Sequence, residues 1–130
     1  MLLPDIWEVK LHGVFEPNVP NRERIVLQAN QATDMSQFFL MLGLPTGQNA
    51  MFPVRDAQYW FGGTALNAGD WIVLFTGSGQ AAQQRDASGS TVHTLFWGRE
   101  RTIFTGGLVP VLIRAGGILI GGQPALPTGR

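Results

Sequence analysis

The chain has 130 residues, enough for one hydrophobic core and too few for two. Hydrophobic residues make up 45% and charged ones only 14%, against roughly 25% in ordinary soluble domains, so the surface must be built largely from Gln, Asn, Thr, Ser and Gly. Nine basic and nine acidic residues cancel, leaving no global field for a phosphate backbone or an anionic bilayer, and the absence of cysteine removes disulfides, thiolate ligands and a cysteine nucleophile.

The first ten residues, MLLPDIWEVK, lack the basic start and apolar core of a signal peptide, and no later run approaches the ~18 apolar residues of a membrane span. The expectation is a soluble chain, not exported by the general route, in a compartment that composition leaves open. From there the pattern is one of strands. Ile6 to Leu11 reads as the first, with a short run at Val14 and Phe15 after Gly13. EPNVPNRE (16–23) reads as an exposed loop, since it holds two prolines and two asparagines. Arg24 to Gln28 is the next strand and 29–36 a polar connection. Gln37 to Leu42 is apolar at nearly every position, the pattern of a strand buried on both faces.

After the irregular GLPTGQN (43–49) and the residues beyond it, Gln58 to Phe61 reads as a short strand and GGTALNAG (62–69) as a turn. Trp71 to Thr76 is the clearest strand of the chain. The polar stretch 77–90 has no apolar stripe and reads as a mobile loop. Thr91 to Trp97 and Thr102 to Thr105 read as strands joined across a hairpin tip, GRER (98–101). Leu108 to Arg114 follows, and its Pro110 implies an edge strand or a bulge. Ile118 to Ile120, between glycine pairs, is a short strand or an apolar anchor in a tail that runs to residue 130. Seven to nine short strands with Gly, Pro and Asn punctuation predict an all-β antiparallel sandwich over 1–115, followed by a Gly/Pro-rich C-terminal strand and tail over 116–130.

The motifs that could carry chemistry lack their context. Gly77-Ser-Gly79-Gln-Ala-Ala82 satisfies G-x-G-x-x-A, but a dinucleotide site needs a helix there, packed on a parallel sheet, and Gln83 to Asp86 offer no apolar face. His12 and His93 stand alone, with no acidic or imidazole partner at metal-ligand spacing. A Ser-His-Asp set could be drawn from His93 with Asp70 or Asp86 and a loop serine, yet no nucleophile elbow is present. No catalytic residue, metal ligand or cofactor is assigned. Trp7, Trp60, Trp71 and Trp97 sit in or beside apolar segments, which favours a core role over a binding platform.

The order of segments resembles the lamin-tail domain, an immunoglobulin-like β-sandwich. TDMSQFFLML is similar to that family's D-L-S-G-W-x-L strand. TALNAGDWIVLFTGSG resembles its L-x-P-G-x-x-L-V-L stretch, and LFWGRERTIFTGGLVPVLIR the strand pair that follows; together they cover about 22–115. The resemblance implies a non-catalytic interaction module, used for protein–protein contacts or beside secreted or envelope enzymes. It carries over no catalytic residues.

The function expected is therefore a binding or assembly module without catalysis, with a protein partner or self-association into a homo-oligomer, since near-zero net charge removes the repulsion that keeps copies apart. Its expected contact residues are Trp97, Arg99, Glu100 and Arg101 at the hairpin tip, together with the 77–90 loop. Two other classes fit the composition. One is a virion component such as a phage decoration or head–tail accessory protein; the other is a carbohydrate-binding sandwich using Trp97 or Trp60.

Overall fold

In Arg24–Ala29 every second side chain is apolar and buried: Ile25, Leu27 and Ala29 turn inward while Arg24, Val26 and Gln28 stay half-exposed. This period of two recurs in Phe38–Leu42 and Trp71–Phe75. A computed structural model describes residues 5–47 and 50–122. Among them it contains β1 (Val9–Phe15), β2 (Arg24–Ala29), β3 (Thr33–Asp34), β4 (Phe38–Gly47), β5 (Ala50–Trp60), β6 (Ala65–Leu66), β7 (Trp71–Phe75), β8 (Ala82–Arg85), β9 (Thr91–Phe96) and β10 (Val109–Arg114). A three-residue 3₁₀ turn, Met35–Gln37, precedes β4, and the Asp34 carboxylate caps it by accepting the Ser36 N–H.

One sheet has the order β1-β2-β7-β9-β8, a second the order β10-β4-β5, and β3 pairs with β6. Neighbours are antiparallel except β7 and β9, which run parallel because β8 folds back on the outer side of β9. Ile25, Leu27, Ile72 and Leu74 of the five-stranded sheet share one buried cluster with Phe38, Leu40 and Leu42 of the three-stranded sheet. The architecture is the expected all-β sandwich. Pro110 lies in β10, at the edge of its sheet, where a missing N–H is tolerated.

Four local expectations are corrected. The stretch 77–90 is a hairpin arm: β8 pairs with β9 from Ala82↔Thr94 to Arg85↔Thr91, so backbone pairing orders a segment whose side chains are exposed. Thr102 to Thr105 form no strand, because the amides of Ile103 and Phe104 bond instead to the Glu23 carboxylate. Trp97 to Arg101 consequently belong to a long connection from β9 to β10, between the two sheets. Ile118 to Ile120 form no strand either, while residues 123–130 of the expected tail lie outside those described.

Glycine is required at two points around β7. Gly69, at φ +88°, makes the turn that launches it. Gly79 lets the chain pass over Phe96, whose ring would lie 2.3 Å from an added Cβ. The glycine-rich end of the run GDWIVLFTGSG is thus a close-packing device ahead of β8, and no helix follows it.

Candidate functional site

The buried charges come first, because they show what the polar groups are occupied with. Glu23 is 1% exposed at the end of the 16–23 loop. Its Oε1 accepts the Thr76 hydroxyl at 2.8 Å and the Ile103 N–H at 2.8 Å, and its Oε2 accepts the N–H groups of Asn18 at 2.8 Å and Phe104 at 3.2 Å. One carboxylate therefore ties the first loop, the end of β7 and the β9–β10 connection together. Glu8 is buried too; its Oε1 accepts from Arg114 Nη1 at the end of β10, and its Oε2 meets no donor among the described residues. Asp70 accepts the Asn67 N–H at 2.9 Å and the Thr91 N–H at 3.0 Å, which fixes the turn before β7 to the start of β9.

These bonds decide the reactive sets considered from sequence. His93 and Asp70 do line one open cleft, together with Asn67, Gln83 and Thr91. Each Asp70 oxygen holds one backbone amide, which gives the carboxylate a structural role. Asp86 is placed elsewhere, in the β8–β9 turn, where its Oδ1 accepts the Ser88 hydroxyl at 2.6 Å and the N–H groups of Ser88 at 2.9 Å and Ser90 at 3.0 Å. His12 stacks on Trp71 with ring centroids 5.1 Å apart and bonds to Gln28. Among the described residues no group of three or more His, Asp or Glu converges. Nor is any described helix long and apolar enough to cross a membrane.

The Ser88 hydroxyl, aided by the turn amides, holds the Asp86 carboxyl below its ordinary value. A carboxylate whose folded value is depressed contributes stability above its unfolded value, and that contribution disappears as pH falls through the folded one. Protection factors of β8 amides against hydrogen exchange should therefore drop below about pH 4. In Asp86→Ala they should be low at neutral pH and should lose this acid dependence. Near Glu16, the Arg24 hydrogen bond has the same lowering effect on an exposed carboxyl. Burial pushes the Tyr59 phenol up instead.

The four residues assigned to partner contact divide in two. Trp97 is half-buried against Tyr59, at 5.7 Å between ring centroids, and belongs to the rim of the core. Arg99 donates to the Asp56 carbonyl at 2.6 Å, anchoring the point where the β4–β5 register slips and Asp56 takes φ +58°. Glu100 and Arg101 are exposed.

The less expected feature is the outside of both sheets. Register puts Ile113, Phe39 and Trp60 in one row and Val111, Met41 and Gln58 in the next, all on the face of the three-stranded sheet opposite to buried Phe38, Leu40 and Leu42. On the five-stranded sheet the outer rows include Trp71 with Val92, Val73 with Thr94, and Phe75 with Phe96. The Arg24 guanidinium lies between the rings of Phe15 and Phe75, at 5.8 and 5.9 Å from their centroids. An antiparallel sheet in water normally alternates apolar-in with polar-out. Here the outward side chains of β4, β7 and β10 are largely apolar as well, interrupted by Gln58 on β5, Arg24 and Gln28 on β2 and Thr94 on β9.

At the Trp60 end of the three-stranded face, the chain leaving β10 makes a groove of ≈ 900 Å³. Phe39, Gln58 and Trp60 line it together with Ile118 and Ile120. The Trp60 indole N–H donates to the Ser36 carbonyl at 2.7 Å, which fixes the ring although the residue is 65% exposed. Sequence reading placed Trp60 in a strand but missed this surface. The signal lay in FFLML and VPVLI, whose apolar residues are too consecutive for a strand with one wet face.

Compared with known protein families, curated proteins and solved structures, the chain gives no match.

Proposed function

We propose that this chain is a non-catalytic, immunoglobulin-like module that binds protein surfaces, its own included, through the outer faces of its sheets. One observation carries the reading: strands whose sequences are apolar on both sides have only one side inside the monomer's core. Contiguous apolar surface of that kind marks interaction sites in soluble proteins. Support for the lamin-tail resemblance comes from Gly69, which takes φ +88° where that family's turn glycine precedes a central strand. Sedimentation velocity tests the proposal. Association should appear at micromolar concentration and persist in high salt, because burial of apolar surface is not screened. A strict monomer up to millimolar concentration, with no partner retained by the pure protein, would sink it.

A particle component is the second reading, favoured by apolar residues on two opposite faces. A dimer covers one face, whereas a lattice covers both. Extended arrays in electron micrographs of concentrated protein would select it.

A further inference from the structure

We infer that the groove beside Trp60 receives the Ile118–Ile120 segment of a second copy of this chain, the two copies exchanging segments about a two-fold axis. This rests on the assembly reading above and names its partner.

Exposed strand edges are the usual route for sheets to associate, but these edges are blunted. β1 carries a register shift between Leu11 and Gly13, β5 has Pro53 and a kink at Asp56, β10 has Pro110, and β8 is only four residues long, all exposed. Extension of either ladder is disfavoured, so side chains on a face are left as the means of contact.

Size decides the next step. Where β10, β4 and β5 all run side by side the face is six residues long, and at ~4.8 Å between strands and ~3.3 Å per residue it presents roughly 290 Å² of flat surface. A stable interface needs about 800 Å² from each partner. The three-stranded face is too small alone, and what extends it is the segment after β10. Ala115 N–H still bonds the Gln37 carbonyl at 2.7 Å; Gly116 and Gly117 then lead into Ile118, Leu119 and Ile120, which are 84%, 98% and 80% exposed. Three consecutive aliphatic side chains in water are as conspicuous as the groove they border.

A second copy satisfies both features at once. The donor segment borders the acceptor groove on one molecule, Ile118 and Ile120 forming part of its lining, so a two-fold axis lets each copy lay its segment against the Phe39–Trp60 surface of the other. The groove offers nothing that would reject an apolar guest. Its polar members, Ser36, Gln37 and Gln58, are uncharged, and the chain's net charge is zero. Trp60, held by its bond to Ser36, supplies a rigid aromatic anchor.

Because the chain has no cysteine, crosslinking gives a clean test. Full-length Gln58→Cys and Ile120→Cys variants are mixed and oxidised. The expected product is a mixed disulfide between the two variants, formed at low micromolar concentration and identified by mass. Ile118→Ser/Ile120→Ser should also raise the dimer Kd at least ~100-fold while leaving the circular dichroism unchanged. Association that survives the double substitution, with no mixed disulfide, would overturn the exchange and leave the assembly reading standing. A wild-type chain that stays strictly monomeric up to millimolar concentration and retains no partner would overturn both.

Discussion

Replacing Glu23 by glutamine should cost about 3–5 kcal/mol of stability, the largest effect of any substitution that conserves size in this chain. The carboxylate accepts four hydrogen bonds, two at each oxygen, from Thr76, Ile103, Asn18 and Phe104. Glutamine keeps one oxygen and turns the other into a donor that faces two donors. With the site 1% exposed, water cannot easily replace what is lost, and each unpaired buried group costs about 1–3 kcal/mol. The urea midpoint should fall with an unchanged m-value, since the change lies in the strength of the native state rather than in the surface it exposes. A loss below about 1 kcal/mol would mean that the loop and the β9–β10 connection are held by packing, with the carboxylate merely accommodated.

The same residue explains why parts of the fold were hidden from the sequence. Glu23 stands in a loop rich in Pro and Asn, where a lone acidic residue looks solvated; nothing local announces that residues 103 and 104, eighty positions away, will bring it their amides. Thr102 to Thr105 look like a strand for the complementary reason. Their composition suits a ladder, and a side chain from far along the chain takes the bonds instead. β5 was legible only at its end, Gln58 to Trp60. Pro53, Arg55 and Asp56 break its alternation, and pairing with β4 supplies the order that its own sequence lacks. β8 is the extreme case, four residues without an inward-facing apolar side chain, held between its turn and β9.

What could be read directly were the strands whose side chains do the folding: β2, the first half of β4 and β7 show their buried residues at alternate positions, while β9 and β10 add buried His93 and the partly buried Leu95 and Leu112. The candidate surface was half legible. FFLML announced burial on two sides, and the sandwich covers one. The expected contact residues were chosen on the assumption of a hairpin tip at 98–101. That stretch instead crosses between sheets, and Arg99 is engaged with Asp56. Locating the groove required knowing that β10 ends level with Trp60, across Phe39 of β4, which is a fact of register and not of local sequence.

The Glu8–Arg114 pair should respond very unequally to loss of either partner. Arg114 lies at the end of β10 and Glu8 just before β1, so the pair joins the two sheets. Arg114→Met removes the donor to Glu8 Oε1, and among the described residues Oε2 has none. An uncompensated carboxylate would then sit at 11% side-chain exposure. A loss of about 2–4 kcal/mol follows, below the ceiling for fully buried pairs because Arg114 itself is a third exposed. Glu8→Leu should cost under about 1 kcal/mol, since the freed guanidinium can turn toward water on its long stem. Combining the two should restore most of what Arg114→Met loses, giving a coupling of at least ~1 kcal/mol in a double-mutant cycle. The ordering matters more than the sizes. If both single variants lose the same amount and their effects add, the ion pair is an ordinary surface contact, and the sheets are joined by the apolar core alone.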